Sequence, residues 1–526
     1  MNKFTSKVKI YVVVAIIVIV VGVKFAYVRI HSNFIYTPDT LIRSVKAMIY
    51  KNQYEKFGGS GSALAATESG TLPELDYNAS VPVIVYHGIP YSDVPNQFSI
   101  TLDNFKDQLF SLKKAGYNSI ITKDLYRYMR GEVRLPEKPI LITFDDGRVD
   151  SVELADPVLK ALDYKAVMFV IGRYSFLKER QKYYISTNMI KEMDASGRWD
   201  IEAHSFDGHN SYPSAPGVTD GHFFSHKQWL SAKNRLETDE EFRTRIRTDL
   251  GEIQDGLQEL LHKPIRSFAF PFGDFGQNNT NFDMARAINI DIGEKLFDME
   301  FYQNDRHERY TNNYYSEANA SSTFFLVRRF DVNSEWSGAD LLLALDRSAV
   351  KKLPYIDDFL SNKGWLIFWG KVKVGSGQLS IETESGETGG TTILDGSQLW
   401  RDYSVRATVS SPAKSNVYVW TRFVDDENNT ACNFGNGFIH IEQTLNGKSN
   451  IIQGKIDPKF NTPGGEFTIE ARVKGRTIEC ILNGKFAVSS NFLDEKLASG
   501  GVGFKTWEFD PDQANMNISN LNIQEI

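Results

Sequence analysis

From Pro82 to Phe330 the chain repeats one unit, a short apolar run followed by a stretch with helical spacing. Pro82-Val83-Ile84-Val85-Tyr86-His87-Gly88 reads as a buried strand, and Leu102 to Ala115 as an amphipathic helix closed by Gly116. Ser119 to Ile121 is a strand, and Thr122 caps a helix reaching Arg130. Ile140-Leu141-Ile142, Ala166 to Ile171, Trp199 to Ala203, Ser267 to Phe270 and Leu326 to Phe330 continue the strands. Helices over Ser151 to Leu162, Ser186 to Ser196 and Thr238 to Leu261 lie between them, the last opened by a Thr238/Glu241 capping box. Strands alternating with helices pair in parallel. About seven units favour a closed or nearly closed (β/α) barrel, whose chemistry sits at the carboxyl ends of the strands.

Three of those strand ends carry unusual residues. Asp145 and Asp146 stand side by side before Gly147. Like charges that close resist joint ionisation, and a cation relieves one of them while the other stays free as a base. His204-Ser205-Phe206-Asp207-Gly208-His209 follows the next motif strand, and Phe268-Ala269-Phe270-Pro271-Phe272-Gly273 the third. Any one of these alone is an ordinary turn. In this order, each after an apolar strand, they resemble the polysaccharide deacetylase (NodB-homology) family over residues 80–335.

The resemblance implies a distorted (β/α)7-type barrel and assigns roles. Asp146, His204 and His209 bind one divalent metal, zinc by default, with iron, cobalt or nickel also fitting such a ligand set. Asp145 is the general base, and Pro271, Phe272 and Gly273 wall the substrate groove. The two histidines are five apart, wider than in many members, which resembles the branch acting on poly-N-acetylglucosamine exopolysaccharides. No late Leu-x-His occurs between Gly273 and Leu345, and His307 lies in a polar context. In the exopolysaccharide branch the general acid comes from a Tyr-His on the first strand, which Tyr86-His87 matches. Arg266 or Arg328 is expected to orient Asp145. His222, His226 and His262 read as surface residues. Asp207 is either an outer partner of the metal site or a turn carboxylate. Residues 208–236 read as polar and irregular, bordering the site.

Outside the barrel, Lys3, Lys7 and Lys9 precede an apolar run from Ile10 to Val23, extended past Lys24 to Val28. This predicts an uncleaved transmembrane signal-anchor within residues 1–30, its N-terminus cytoplasmic and the rest of the chain extracellular. Residues 31–80 form a spacer, with a short helix over 38–56 and a Gly/Ser-rich stretch after it. The barrel is placed at 81–347 and a linker at 348–364. From Trp365 short alternating runs separated by Gly, Asn and Asp turns predict an all-β sandwich over 365–526, with an Asn483-Gly484 hairpin. It resembles the concanavalin-like jelly-roll domains attached to carbohydrate enzymes, which implies sugar binding. Glu382, Glu384 and Glu387 resemble spaced acids of some jelly-roll glycoside hydrolases, or form a solvated loop. Cys432 and Cys480 either pair or stay separate buried thiols.

A net charge of −7 argues against a nucleic-acid partner and a polyanionic substrate. The reading expected is a membrane-anchored, metal-dependent N-deacetylase of an N-acetylated amino-sugar exopolysaccharide or cell-wall polymer, with export machinery as a further partner. The alternatives are a non-catalytic polysaccharide-binding scaffold and glycoside hydrolysis by the last domain.

Overall fold

The computed structural model describes residues 38–58, 80–91, 99–177, 182–277, 280–303, 313–315, 321–411, 415–460, 465–491, 493–508 and 514–526. The expected signal-anchor, the Gly/Ser-rich stretch and His307 lie outside them. Among the described residues no helix is long and apolar enough to cross a membrane.

Eight parallel strands build the first body: β1 (Val83–Tyr86), β2 (Asn118–Ile120), β3 (Pro139–Phe144), β4 (Ala166–Val170), β5 (Trp199–Ala203), β6 (Ser267–Ala269), β7 (Met299–Gln303) and β8 (Phe325–Asp331). β1 pairs with β3 on one edge, Val83 opposite Leu141, and with β8 on the other, Ile84 opposite Phe330. Those two pairings close a ring of seven strands in the order β1, β3, β4, β5, β6, β7, β8. β2 stays outside the ring and pairs with the first half of β3.

Side-chain alternation divides each strand between two layers. On β3, Ile140, Ile142 and Phe144 pack outward under the helices, whereas Leu141 joins the inner cluster. On β5, Ile201 and Ala203 pack outward, which turns Glu202 and His204 inward. On β8, Phe325 and Val327 fill the interior, so Arg329 and Asp331 continue the same face toward the mouth. The interior is therefore apolar around Leu141, Phe169 and Val327, with Glu202 buried against Ser267 N at the start of β6 and further polar groups at the carboxyl end.

The helices are α1 (Pro38–Lys56), α2 (Leu102–Lys114), α3 (Thr122–Met129), α4 (Val149–Leu162), α5 (Gly172–Phe176), α6 (Thr187–Ala195), α7 (Asp239–Leu261), α8 (Ala285–Gly293) and α9 (Gly338–Ser348). α7 begins at the expected capping box: Thr238 Oγ1 accepts from Glu241 N at 3.1 Å, and Glu241 Oε2 accepts from Thr238 N at 2.8 Å. Phe242, Ile246, Leu250, Ile253 and Leu257 recur at helical spacing and are fully buried. Each such burial is worth roughly 1.5–3 kcal/mol. Thr122 is the first residue of α3, not its cap, and its hydroxyl bonds Asp200 Oδ2 at 2.5 Å. α1 lies against the barrel, with Tyr54 buried beside Phe110.

Residues 208–236 are more regular than expected. Ser211–Ala215 and Val218–His222 form an antiparallel hairpin, and Trp229–Leu230 pairs with Arg235–Leu236.

The C-terminal body is two antiparallel sheets, of seven and eight strands, closed over one apolar core. Tyr355–Asp357, inside the stretch expected as a linker, pairs with the last strand and belongs to the eight-stranded sheet. Asn483 and Gly484 take left-handed conformations in the hairpin between Thr477–Leu482 and Phe486–Ser490. Cys432, in the seven-stranded sheet, and Cys480, in the eight-stranded one, form a disulfide across the core with Cα atoms 5.6 Å apart. This resolves the two alternatives left open for these cysteines.

Candidate active site

β3 delivers its carboxylates differently because the chain turns left-handed at Asp146 (φ 72°) and Gly147 (φ 71°). Asp145 remains buried and meets Arg329, which donates from Nη1 to Oδ1 at 2.6 Å and from Nη2 to Oδ2 at 2.8 Å. Asp146 faces the histidines instead. Its Oδ1 lies 3.2 Å from His209 Nε2 and 3.6 Å from His204 Nε2.

Both histidines are held by the backbone around them. His204 follows β5, and its Nδ1 lies 2.7 Å from the Ala269 carbonyl on β6. That bond takes the ring proton on Nδ1 and leaves the Nε2 lone pair toward Asp146. The following loop turns at Ser205 (φ 69°) and is fastened by Asp249 of α7, which accepts from Phe206 N at 3.0 Å and Asp207 N at 2.7 Å. Ser205 Oγ accepts from Gly208 N at 2.8 Å, which places His209 back over Asp146.

The donor set fits a divalent cation. Ligand atoms of Asp146, His204 and His209 lie within 4.8 Å of one another. Asp146 Oδ1 is buried yet accepts no hydrogen bond of adequate geometry, although two ring nitrogens lie close by. A buried carboxylate oxygen without a donor is costly, and a cation would satisfy it. Burial lowers His204 to about 4, so at neutral pH its ring is a neutral ligand. Burial pushes Asp146 up, but the His209, His87 and His204 rings outweigh it and hold the carboxyl well below its usual range. Two imidazoles and one carboxylate suit zinc and its neighbours in the first transition row.

Burial would likewise raise Asp145, and the Arg329 guanidinium, then His204, overcome it, so its pKa is lowered. The partner expected was Arg266 or Arg328. Arg266 instead pairs with Asp298 at 2.8 Å, and Arg328 bonds Tyr302 Oη at 3.3 Å. Arg329 holds Asp145 because it shares the inward face of β8 with Val327, and its guanidinium lies 5.3 Å over the Phe169 ring.

His87 follows β1, beside Asp145, whose N donates to the Tyr86 carbonyl at 3.1 Å. Its Nδ1 lies 3.9 Å from Asp331 Oδ1, and its carbonyl accepts from Ser151 Oγ at 2.6 Å. Asp331, absent from the sequence reading, sits two residues beyond Arg329 on the same strand face. His87, Asp331 and Ser334 help line a shallow open pocket.

Pro271, Phe272 and Gly273 form a short turn at the end of β6. Phe272 is 44% exposed in a left-handed conformation (φ 60°), its ring 4.5 Å from His209. Gly273 is left-handed too, and a Cβ there would lie 2.4 Å from that of Gln303. His222 also stacks on Phe272, with centroids 4.5 Å apart and planes 17° apart. Asp274 Oδ2 bonds His222 Nδ1 at 2.8 Å and Ser225 Oγ at 2.7 Å. His222 and His226 are thus not free surface residues: the first extends the aromatic wall, and the second is buried with its Nδ1 2.8 Å from Ser225 Oγ. His262 is exposed at the end of α7. Asp207 ties the histidine loop to Arg173 and to Asn210. Glu382 pairs with Lys371 and Lys373, and Glu384 and Glu387 lie exposed in a turn.

Residues 132–292 match the polysaccharide deacetylase family. YxkH of Bacillus subtilis (strain 168) is 31% identical over 129 residues, 24% of this chain and 43% of the relative. The poly-beta-1,6-N-acetyl-D-glucosamine N-deacetylase of Escherichia coli (strain K12) is 23% identical over 232 residues, 41% of this chain and 33% of that one. The chain thus spans less than half the length of either relative. The solved structure of IcaB from Ammonifex degensii is 24% identical, with a TM-score of 0.35, covering 48% of this chain and 92% of the other.

Proposed function

We propose that the barrel, which is a polysaccharide deacetylase domain, hydrolyses the N-acetyl groups of an amino-sugar polymer with the help of one divalent cation. The observation that carries this is the arrangement at the mouth. One carboxylate oxygen and two imidazole nitrogens converge, while a second carboxylate is separately held by Arg329.

A cation held by Asp146, His204 and His209 would supply Lewis acidity, lowering the pKa of a water toward about 7 and polarising the acetyl carbonyl. Asp145, kept ionised by Arg329, accepts the proton as the water oxygen adds to the acetyl carbon. His87, oriented by Asp331, gives a proton to the amide nitrogen as the C–N bond breaks. Acetate and a free amine leave. Phe272 and His222 bound the groove with a continuous aromatic surface suited to the apolar face of a sugar ring.

The name of the Escherichia coli relative makes poly-β-1,6-N-acetylglucosamine the first polymer to test, with peptidoglycan and chitin-like chains as comparisons. Zinc is the first metal to test. The apolar run from Ile10 to Val28, with lysines before it, supports a membrane anchor. The Cys432–Cys480 disulfide supports an oxidising location for the rest of the chain, outside the cell.

Acetate release from the three polymers tests the reading. It should appear with at least one and vanish in Asp145→Asn. No release from any of them, or full activity in the variant, would refute it and favour a binding scaffold.

A further inference from the structure

The seven-stranded sheet of the C-terminal body buries one face in the core and turns the other away from it. Val417, Val419, Phe434, Ile439, Ile441 and Phe504 mark the buried face. Alternation places the residues between them on the opposite face. There the register aligns a single line across the strands. Trp369 pairs with Thr391, Thr391 with Lys505, Lys505 with Tyr418, Tyr418 with Asn433, and Asn433 with His440. His440 is opposite Gly454 on the last strand. At about 4.8 Å per strand the line is roughly 29 Å long.

Its chemistry differs from that of a solvated sheet face. Every member is aromatic or carries hydrogen-bonding groups, and none of the six is highly exposed. The His440 ring lies over Gly454, where a Cβ would come within 2.6 Å of it, and stacks on Phe438 with centroids 4.3 Å apart. Trp369 lies over Gly389 in the same way. The two glycines leave room for these rings on the sheet face.

Two polar atoms along the line lack partners. Asn433 is only 4% exposed; its Nδ2 donates to Glu442 Oε1 at 2.7 Å, and its Oδ1 accepts nothing. Thr391 Oγ1 is fully buried and also without a partner. Buried polar atoms are almost always satisfied, so each calls for a partner that a water or a ligand group can supply. Charge narrows the ligand. Lys505 lies 5.0 Å over the Tyr418 ring, close enough to Glu442 for the two charges to interact. Opposed in this way, they favour neither a polyanion nor a polycation.

We propose that this line is a binding groove for a neutral, N-acetylated polysaccharide, the form of the polymer that the barrel consumes. The identity of the polymer rests on the deacetylase reading; the groove itself does not. Rings stack on sugar faces, while Asn433 and Lys505 meet hydroxyl and acetamide groups. Holding the polymer at a second place raises its effective concentration at the catalytic mouth.

Full-length protein carrying Asp145→Asn tests binding without turnover. The probes are poly-β-1,6-N-acetylglucosamine and the same polymer chemically N-deacetylated. The acetylated polymer should bind the more tightly, and Tyr418→Ala or Asn433→Ala should weaken it about tenfold, as expected for losing a stacking ring or a hydrogen bond. In the otherwise active chain the same substitutions should raise KM for the polymer and leave kcat/KM for an N-acetylated trimer unchanged. Lys505→Gln, a gentler change, should weaken polymer binding with an unaltered melting temperature. Parent-like binding by all three variants would overturn the groove, and equal or tighter binding of the deacetylated polymer would overturn its assignment to substrate. Binding is read in an inactive chain, so absent acetate release would count against the deacetylase reading alone.

Discussion

Replacing Arg329 with methionine removes the group that keeps the proposed base ionised. Arg329 and Asp145 are almost wholly inaccessible and share two short hydrogen bonds. Deleting one partner of such a pair leaves a buried charge unanswered, at a cost of about 3–5 kcal/mol. The cost depends on pH in a defined direction. In the parent the Asp145 pKa lies below its unfolded value, so the carboxylate adds stability above about pH 4 that is lost as pH falls through the lowered value. Without the guanidinium, burial lifts the folded pKa above the unfolded one. The variant then favours the neutral acid and is penalised as pH rises past about 4. The stability gap between parent and variant should therefore be smaller at pH 3 than at pH 7. Urea unfolding at both values measures it. The acid limb of the kcat/KM profile for acetate release should also move to higher pH, because the base must ionise before it can act. A gap below about 1 kcal/mol at pH 7, or one equal at both pH values, would refute the reasoning. An unmoved acid limb would separate Asp145 from the base role.

His87→Ala should lower kcat for amide hydrolysis by about 10²–10⁴-fold. Hydrolysis of an aryl acetate should be spared, since its phenolate leaves without a proton; equal losses on both would contradict the general-acid role. Phe272 is exposed and touches His209 and His222. Phe272→Ala should therefore change stability by less than about 1 kcal/mol while raising KM for polymer several-fold in steady-state assays. Cys432 and Cys480 are 48 residues apart, so Cys480→Ser should cost about 4 kcal/mol by the chain-entropy estimate. A calorimetric scan should show that loss in the C-terminal body, with trimer hydrolysis by the barrel preserved.

The convergence of Asp146, His204 and His209 and the barrel itself were legible because their signals are local. Apolar runs ending in Asp145-Asp146, His204 and Phe270-Pro271 state both the strand and what it carries to its end. Arg329 was missed for want of a parity argument. Phe325 and Val327 are the apolar members of one face of β8, so the arginine two residues on, not Arg328, continues that face into the barrel, and Asp331 follows it. The hairpin ending at His222 gave no signal, since Ser211-Tyr212-Pro213-Ser214-Ala215 has no apolar face to repeat. His226 is linked through the Ser225 hydroxyl to Asp274, which is far away in sequence. The disulfide likewise joins two sheets whose stacking no local pattern reveals.

Metal titration of chelator-stripped protein tests the central claim most directly. One equivalent of a divalent cation per chain should bind and restore acetate release, and His209→Ala should lose both together. Parent-rate acetate release from metal-free protein, or undiminished metal binding in His209→Ala, would contradict it.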